Sequence, residues 1–185
     1  MGCTHALIGH CEEREGINEV LALANVNDTA VTNHLLNREI RSAQMAGLRV
    51  LYCIGEKSEQ QQNWRQVLTE QLTMGLEGVD KKSICIGYEP IWSIGPGKTP
   101  ADRDYIVKIS AFVKDLIGDV PVVYGGGLKQ DNAAMLASIP DIDGGLIALT
   151  RFTGEIGFYP HEFLQIVEQY LTAAPQGGVT HATGI

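Results

Sequence analysis

The sequence predicts an α/β fold in which helices cover a parallel sheet. Three observations carry that prediction. Five short apolar runs recur along the chain, and each is followed by a longer stretch with helical spacing of its apolar residues. The runs are continuously apolar rather than alternating, as strands are when both faces of the sheet are covered. Successive runs start about 25 to 45 residues apart, the rhythm of repeated strand–helix units.

The first predicted strand is HALIG, 5–9. A polar stretch follows, and then a helix from about Thr29 to Ala46. Asp28 or Thr29 can cap this helix and Gly47 ends it, while Val31, Leu35, Leu36, Ile40 and Ala43 trace one face. The second strand is RVLYCIG, 49–55, and its helix runs from about Glu59 to Leu76 with Trp64, Leu68, Gln71 and Leu72 at helical spacing. The third is SICIGYE, 83–89, followed by a helix over about 101–117 with Tyr105, Ile109, Phe112 and Leu116 on one side. VPVVYGG, 120–126, is the fourth, with a short helix over about 131–138. GGLIALT, 144–150, is the fifth, with a last helix over about 160–171. The organisation is one domain, 1–171, and a flexible tail, 172–185, in which TAAPQGGVTHATGI lacks a periodic apolar pattern.

This rhythm fits either a doubly wound sheet or an arc of a (β/α)₈ barrel. The GxGxxG fingerprint of a dinucleotide fold does not follow the first strand, and GPGKT lacks the spacing of a P-loop. The pattern therefore favours the barrel. A complete barrel needs eight strands and about 250 residues.

Composition narrows the function. The formal net charge is −8, which argues against a nucleic-acid partner but not against a small anion held by backbone N–H groups. None of the four cysteines forms a CxxC pair, and Cys11, Cys53 and Cys85 lie in or beside apolar runs, so buried free thiols in a reducing compartment are expected. The opening MGCTHALIGH lacks a signal-peptide pattern and carries Ala6 where a myristoylation motif has Ser or Thr. No apolar run approaches a membrane span. A cytoplasmic protein without a membrane partner is expected.

In such folds chemistry gathers at the C-terminal ends of the strands. Those ends supply His10 and Cys11, Gly55 and Glu56, Glu89, Gly125–Gly127 and Ala148–Thr150. His10 is either a hydrogen-bonded structural histidine or a catalytic imidazole. Glu89 is either an ion-paired carboxylate at the sheet rim or a general base whose burial raises its proton affinity. After Glu89, Pro90-Ile91-Trp92 is stiff and Gly95-Pro96-Gly97 can pivot, which suits a lid or a tight surface loop. The three glycines 125–127 suit a phosphate nest or a cramped turn. Lys98 and Lys129 read as solvated or ion-paired.

The segments ALIGHCEER (6–14), RVLYCIGEK (49–57), GYEPIWSIGPGKTPA (87–101), VVYGGGLKQDNAAML (122–136) and DIDGGLIAL (141–149) together resemble the triosephosphate isomerase family. They occur in family order across nearly the whole chain. The resemblance implies a TIM-barrel isomerase that interconverts dihydroxyacetone phosphate and glyceraldehyde 3-phosphate without cofactor or metal, in glycolysis and gluconeogenesis, as a homodimer when full-length. Its implied catalytic residues are Glu89 as the proton-shuttling base, His10 as the neutral electrophile and Glu12 as a carboxylate behind the site. Phosphate binding would fall to Gly95, Gly126, Gly127, Ala148 and Leu149. The lid would comprise Ile91, Trp92, Ser93, Ile94, Gly95, Pro96, Gly97, Lys98 and Thr99.

Departures from the family pattern shape further expectations. Cys11 stands in place of a serine, Glu13 in place of an arginine and Gly127 in place of the serine after YGG. Ala148 and Leu149 replace paired glycines, and TGEIGFYP follows. These features resemble the branch acting on a four-carbon erythrulose phosphate, which is the alternative substrate. The first three strand–helix units and their Asn-x-Lys have no counterpart, so the chain is expected to be the fourth to eighth units of a truncated barrel. On its own such a chain would turn over little substrate, or would only bind phosphate compounds or a partner. An epimerase would need a second base opposite Glu89, and none stands out.

Overall fold

Five parallel strands, β1 (His5–Ile8), β2 (Arg49–Ile54), β3 (Ile84–Tyr88), β4 (Val122–Tyr124) and β5 (Gly144–Gly145), form one sheet in the order β1-β2-β3-β4-β5. The structure, a computed structural model, describes residues 2–26, 28–95, 97–147 and 159–175. Spatial order equals chain order, so the sheet has none of the strand-order reversal that marks a doubly wound sheet. Register sets Ile8 opposite Tyr52, Ile54 opposite Tyr88 and Tyr88 opposite Tyr124. Because every strand runs the same way, the residues that follow them share one rim of the sheet.

Six helices accompany the strands among the described residues: α1 (Cys11–Leu23), α2 (Thr29–Met45), α3 (Trp64–Gly75), α4 (Arg103–Ile117), α5 (Ala133–Ala137) and α6 (Pro160–Ala173). Asp28 caps α2 by accepting from Ala30 N at 2.9 Å, and Asp102 caps α4 by accepting from Tyr105 N at 2.8 Å. Gly47, at φ +79°, lets the chain leave α2. The core lies between sheet and helices. Tyr52, Ile54, Ile86, Tyr88 and Val122 from the strands meet Leu36, Ile40, Leu68, Leu72, Ile106 and Ile109 from the helices. Each such aliphatic side chain stabilises the fold by about 1.5–3 kcal/mol on burial.

Several expectations change. The buried face of α2 is Thr32, Asn33, Leu36, Asn37 and Ile40, so Val31 and Leu35 of the expected stripe lie half-buried at its margin. The polar stretch after β1 is helix α1, which the periodicity hides because its apolar residues do not form a buried stripe. Val20 and Leu23 are 66% and 86% exposed, and the one buried side chain of α1 is Arg14. The second helix starts as a 3₁₀ segment, Ser58–Asn63, before α3 begins at Trp64. The inward face of α4 is rotated by one residue from the expected one. Ile106, Ile109, Ser110, Val113 and Ile117 are buried, while Leu116 is exposed. Tyr105 and Phe112 lie at its margins, where Tyr105 meets Trp92 edge-on and Phe112 meets Trp64 edge-on. Finally, α6 runs to Ala173, past the expected end at 171. Residues 148–150 of the fifth predicted strand lie outside the described residues, although the ladder continues past β5 through Leu146 N donating to Tyr124 O at 2.8 Å.

Candidate active site

β1 ends in Gly9, whose φ of +82° turns the chain sharply so that His10 caps α1. The ring Nδ1 of His10 accepts from Glu12 N at 3.4 Å, which leaves Nε2 as the ring nitrogen that donates. That Nε2 lies 3.3 Å from Oε1 of Glu89, the residue after β3. The other carboxylate oxygen of Glu89 accepts from Cys11 N at 3.2 Å. Glu89 is 3% exposed, and burial raises its pKa above the usual glutamate range; His10, Cys11 N and the Cys53 thiol oppose that shift. The sheet thus brings His10, Cys11 and Glu89 together from two strand ends separated by β2. Glu12 instead reaches solvent, with its carboxylate 3.9 Å from His10 Nδ1.

Two glycines make room for Glu89. A Cβ on Gly55 would overlap the Glu89 carbonyl oxygen, and one on Gly125 would come within 2.7 Å of Glu89 Cγ. Gly55 is itself clamped by Gln71, which accepts from its N–H and donates to its carbonyl, both at 2.9 Å. Beneath β1 and β2, the buried guanidinium of Arg14 donates to Gly9 O, Asn33 Oδ1, Tyr52 OH and Cys53 O at 2.9–3.0 Å. This joins the His10 turn to the end of β2.

Glu56, following β2, is fully buried. Sequence reasoning placed it at a strand end but gave it no role. Its carboxylate accepts from Tyr88 OH at 3.0 Å, Trp92 Nε1 at 2.8 Å and Tyr105 OH at 2.9 Å. Its carbonyl accepts from Ile91 N at 3.2 Å. The only sequence signal for it was a charged residue directly after an apolar strand.

The segment after Glu89 leaves β3 as a 3₁₀ turn, Ile91–Ser93, held by Ser93 Oγ donating to Pro90 O at 2.9 Å. Ser93 is buried, whereas Gly97, Lys98 and Thr99 are exposed. Gly95 and Gly97 adopt φ of +111° and +73°, and Lys98 N donates to Gly95 O at 3.2 Å. Pro96 lies outside the described residues, as do Ala148 and Leu149. The turn 125–127 is tightly packed: a Cβ on Gly126 would strike the Tyr124 hydroxyl, and Gly127 has φ +94°. That Tyr124 hydroxyl is buried without a hydrogen-bond partner among the described residues. Lys129 pairs with Asp131 at 3.1 Å.

A sequence model of the triosephosphate isomerase family matches residues 1–170. The chain belongs to the triosephosphate isomerase family. It is 36% identical over 160 residues to the triosephosphate isomerase of Geobacter metallireducens, covering 79% of this chain and 59% of that protein. Against the one from Chloroherpeton thalassium it is 33% identical over 181 residues, covering 90% and 64%. The crystal structure of triosephosphate isomerase from Bartonella henselae superposes with a TM-score of 0.70 at 28% identity, covering 92% of this chain and 66% of that one. The chain therefore spans about three-fifths of the length of the curated triosephosphate isomerases it matches.

Proposed function

We propose that the chain is the proton-transferring portion of a triosephosphate isomerase, interconverting dihydroxyacetone phosphate and glyceraldehyde 3-phosphate through an enediol. The observation that carries this reading is the facing pair of His10 and Glu89, with Nε2 3.3 Å from Oε1. Glu89 removes the proton from the carbon beside the carbonyl and returns it to the neighbouring carbon. A desolvated carboxylate holds that proton more tightly than a solvated one, which suits it to the task. His10 turns its Nε2–H to the substrate oxygen as that oxygen gains charge. Glu12 steadies the ring through its backbone N–H and its nearby carboxylate.

In this reading Ile91–Thr99 is the lid, stiff where Trp92 is tied to Glu56 and pivoting at Gly95 and Gly97. Backbone N–H groups at Gly95, Gly126, Gly127, Ala148 and Leu149 grip the phosphate. The buried Tyr124 hydroxyl touches Ser93 and the Ala101 backbone without a well-formed hydrogen bond, and lid closure tightens its contact with Ser93. The five strands are the fourth to eighth units of a (β/α)₈ barrel, supported by their sequential order. Residues 1–171 are one domain, and the whole protein is a cytoplasmic homodimer. No helix among the described residues is long and apolar enough to cross a membrane. The three-carbon substrate is preferred over a four-carbon one because the relatives above all carry the name triosephosphate isomerase.

The test is to join the chain to the three preceding strand–helix units of a triosephosphate isomerase and assay it. Isomerisation is expected, together with solvent-deuterium uptake into dihydroxyacetone phosphate. Glu89→Gln should reduce both by about a thousandfold, within the usual yield of a positioned base. An unchanged rate in that variant would remove Glu89 from the role.

A further inference from the structure

We infer that His10, Cys11 and Glu89 form a binding site for one zinc-class divalent cation, and that cation binding and proton transfer at this site exclude each other. The imidazole, the thiol and the carboxylate each offer a ligand atom, and these atoms lie within 4.8 Å of one another. Two separations are resolved further. His10 Nε2 is 3.3 Å from Glu89 Oε1, and Cys11 Sγ is 3.9 Å from either ring nitrogen of His10. Bonds of about 2.3 Å to sulfur and about 2.1 Å to nitrogen and oxygen set tetrahedral donors roughly 3.4 to 3.6 Å apart. The His10–Glu89 separation is therefore close to an edge of a zinc tetrahedron, and the sulfur, equidistant from the two ring nitrogens, completes the set by swinging toward Nε2 as the Cys11 side chain turns.

The donor chemistry agrees with the geometry. One thiolate and one carboxylate neutralise a divalent ion, and the sulfur selects zinc or cadmium over magnesium or calcium. The His10 side chain is 35% exposed and Glu89 4%, so the ion is shielded on one side while a fourth position stays open to water. Metal on Nε2 displaces the ring proton to Nδ1. There the Glu12 carboxylate, 3.9 Å away on an 88% exposed and freely turning side chain, can accept it. This makes a carboxylate–histidine–metal arrangement of the kind that fixes ring orientation in zinc sites. The Cys11 thiol proton is released to solvent on binding. Binding also replaces the long contact from Glu12 N to Nδ1.

The binding half of this inference stands without the isomerase reading; the exclusion half rests on it, because the ion holds the two groups that reading uses. Cobalt(II) titration of the 185-residue chain separates the two, since its readout is optical. One equivalent should produce a sulfur-to-cobalt charge-transfer band that zinc then abolishes by displacement. Cys11→Ser should lose the band, and Glu89→Gln should weaken binding while keeping it. Glu12→Ala should weaken binding by about tenfold, as loss of an outer carboxylate does. Cys3→Ser and Cys85→Ser should leave the titration unchanged. Absence of the band in the parent chain overturns the site, as does its survival in Cys11→Ser or its loss in Cys3→Ser. If the site holds, zinc should inhibit the joined isomerase in competition with substrate; binding without inhibition would overturn the exclusion alone.

Discussion

The indole Nε1 of Trp92 donates to Oε1 of Glu56 at 2.8 Å, tying the first turn after β3 to the end of β2. Glu56 is a fully buried carboxylate satisfied by three neutral donors. Trp92→Phe keeps an aromatic ring against Tyr105 and removes one donor. It should cost about 1–2 kcal/mol, the usual loss when a buried acceptor gives up a hydrogen bond. Urea unfolding followed by circular dichroism checks the cost. Limited proteolysis should show faster cleavage between Ile91 and Thr99, and equal protection in both proteins would argue against the tie.

Glu89 makes stability depend on pH. Its carboxyl holds its proton more tightly in the folded chain, because burial outweighs the help of His10. The folded state therefore binds more protons than the unfolded state as pH rises from the ordinary value of 4.5 to the raised one. The stability this group contributes is greatest below 4.5 and is lost across that window. Glu89→Gln should melt higher than the parent at neutral pH and equally below the window. Melting curves from acid to neutral pH read the difference directly, and a variant that melts lower at neutral pH would contradict it.

Gly55→Ala and Gly125→Ala should differ in kind. The first places a methyl group on the backbone carbonyl oxygen of Glu89, just past the end of β3, which cannot yield, so the chain should fold poorly. The second meets Glu89 Cγ at 2.7 Å, where a side chain can turn, and the Tyr88 carbonyl oxygen at 3.2 Å, which has to give only slightly. Gly125→Ala should fold with a cost of about 1–3 kcal/mol, typical of overpacking. In the joined enzyme it should lower kcat more than it raises KM, because it displaces Glu89. Soluble yield, melting temperature and the kinetic split check the pair.

Tyr124→Phe removes a buried hydroxyl that has no partner among the described residues. Truncation there is expected to change stability by no more than about 1 kcal/mol, since the hydroxyl meets Ser93 and the Ala101 backbone only in strained contacts and its burial is costly. In the joined enzyme the same change should raise KM for substrate if lid closure uses that hydroxyl. A stability loss comparable to Trp92→Phe would show that the hydroxyl is already satisfied.

Much of the architecture was legible because most strands are continuous apolar runs and α3 carries a clear stripe, whereas α2 buries Thr32, Asn33 and Asn37 beside Leu36 and Ile40 and leaves Val31 and Leu35 half-buried. Leu68, Gln71 and Leu72 are buried at the spacing the sequence shows. Helix α1 was not legible, since it packs through Arg14 and leaves Val20 and Leu23 in solvent. The α4 face was misplaced because Tyr105 and Phe112 are large enough to dominate the pattern while packing at its edges. At the site, strand-end position and family resemblance pointed to His10 and Glu89, and the sheet places them within 3.3 Å. Glu56 escaped because its partners, Tyr88, Trp92 and Tyr105, come from three separate segments. No local spacing encodes that convergence. The closeness of Cys11 to both site residues likewise depends on the turn at Gly9 and on β1 and β3 flanking β2.

The agreement between chain order and strand order bears on how the protein is made. Each strand pairs only with the one synthesised before it and the one after it. A nascent chain can then lay down each strand–helix unit against a finished neighbour, without waiting for a distant segment. The cost falls on the edge of the row. Among the described residues β5 is two glycines paired with β4 alone, and its outer edge keeps backbone groups for a further strand to meet.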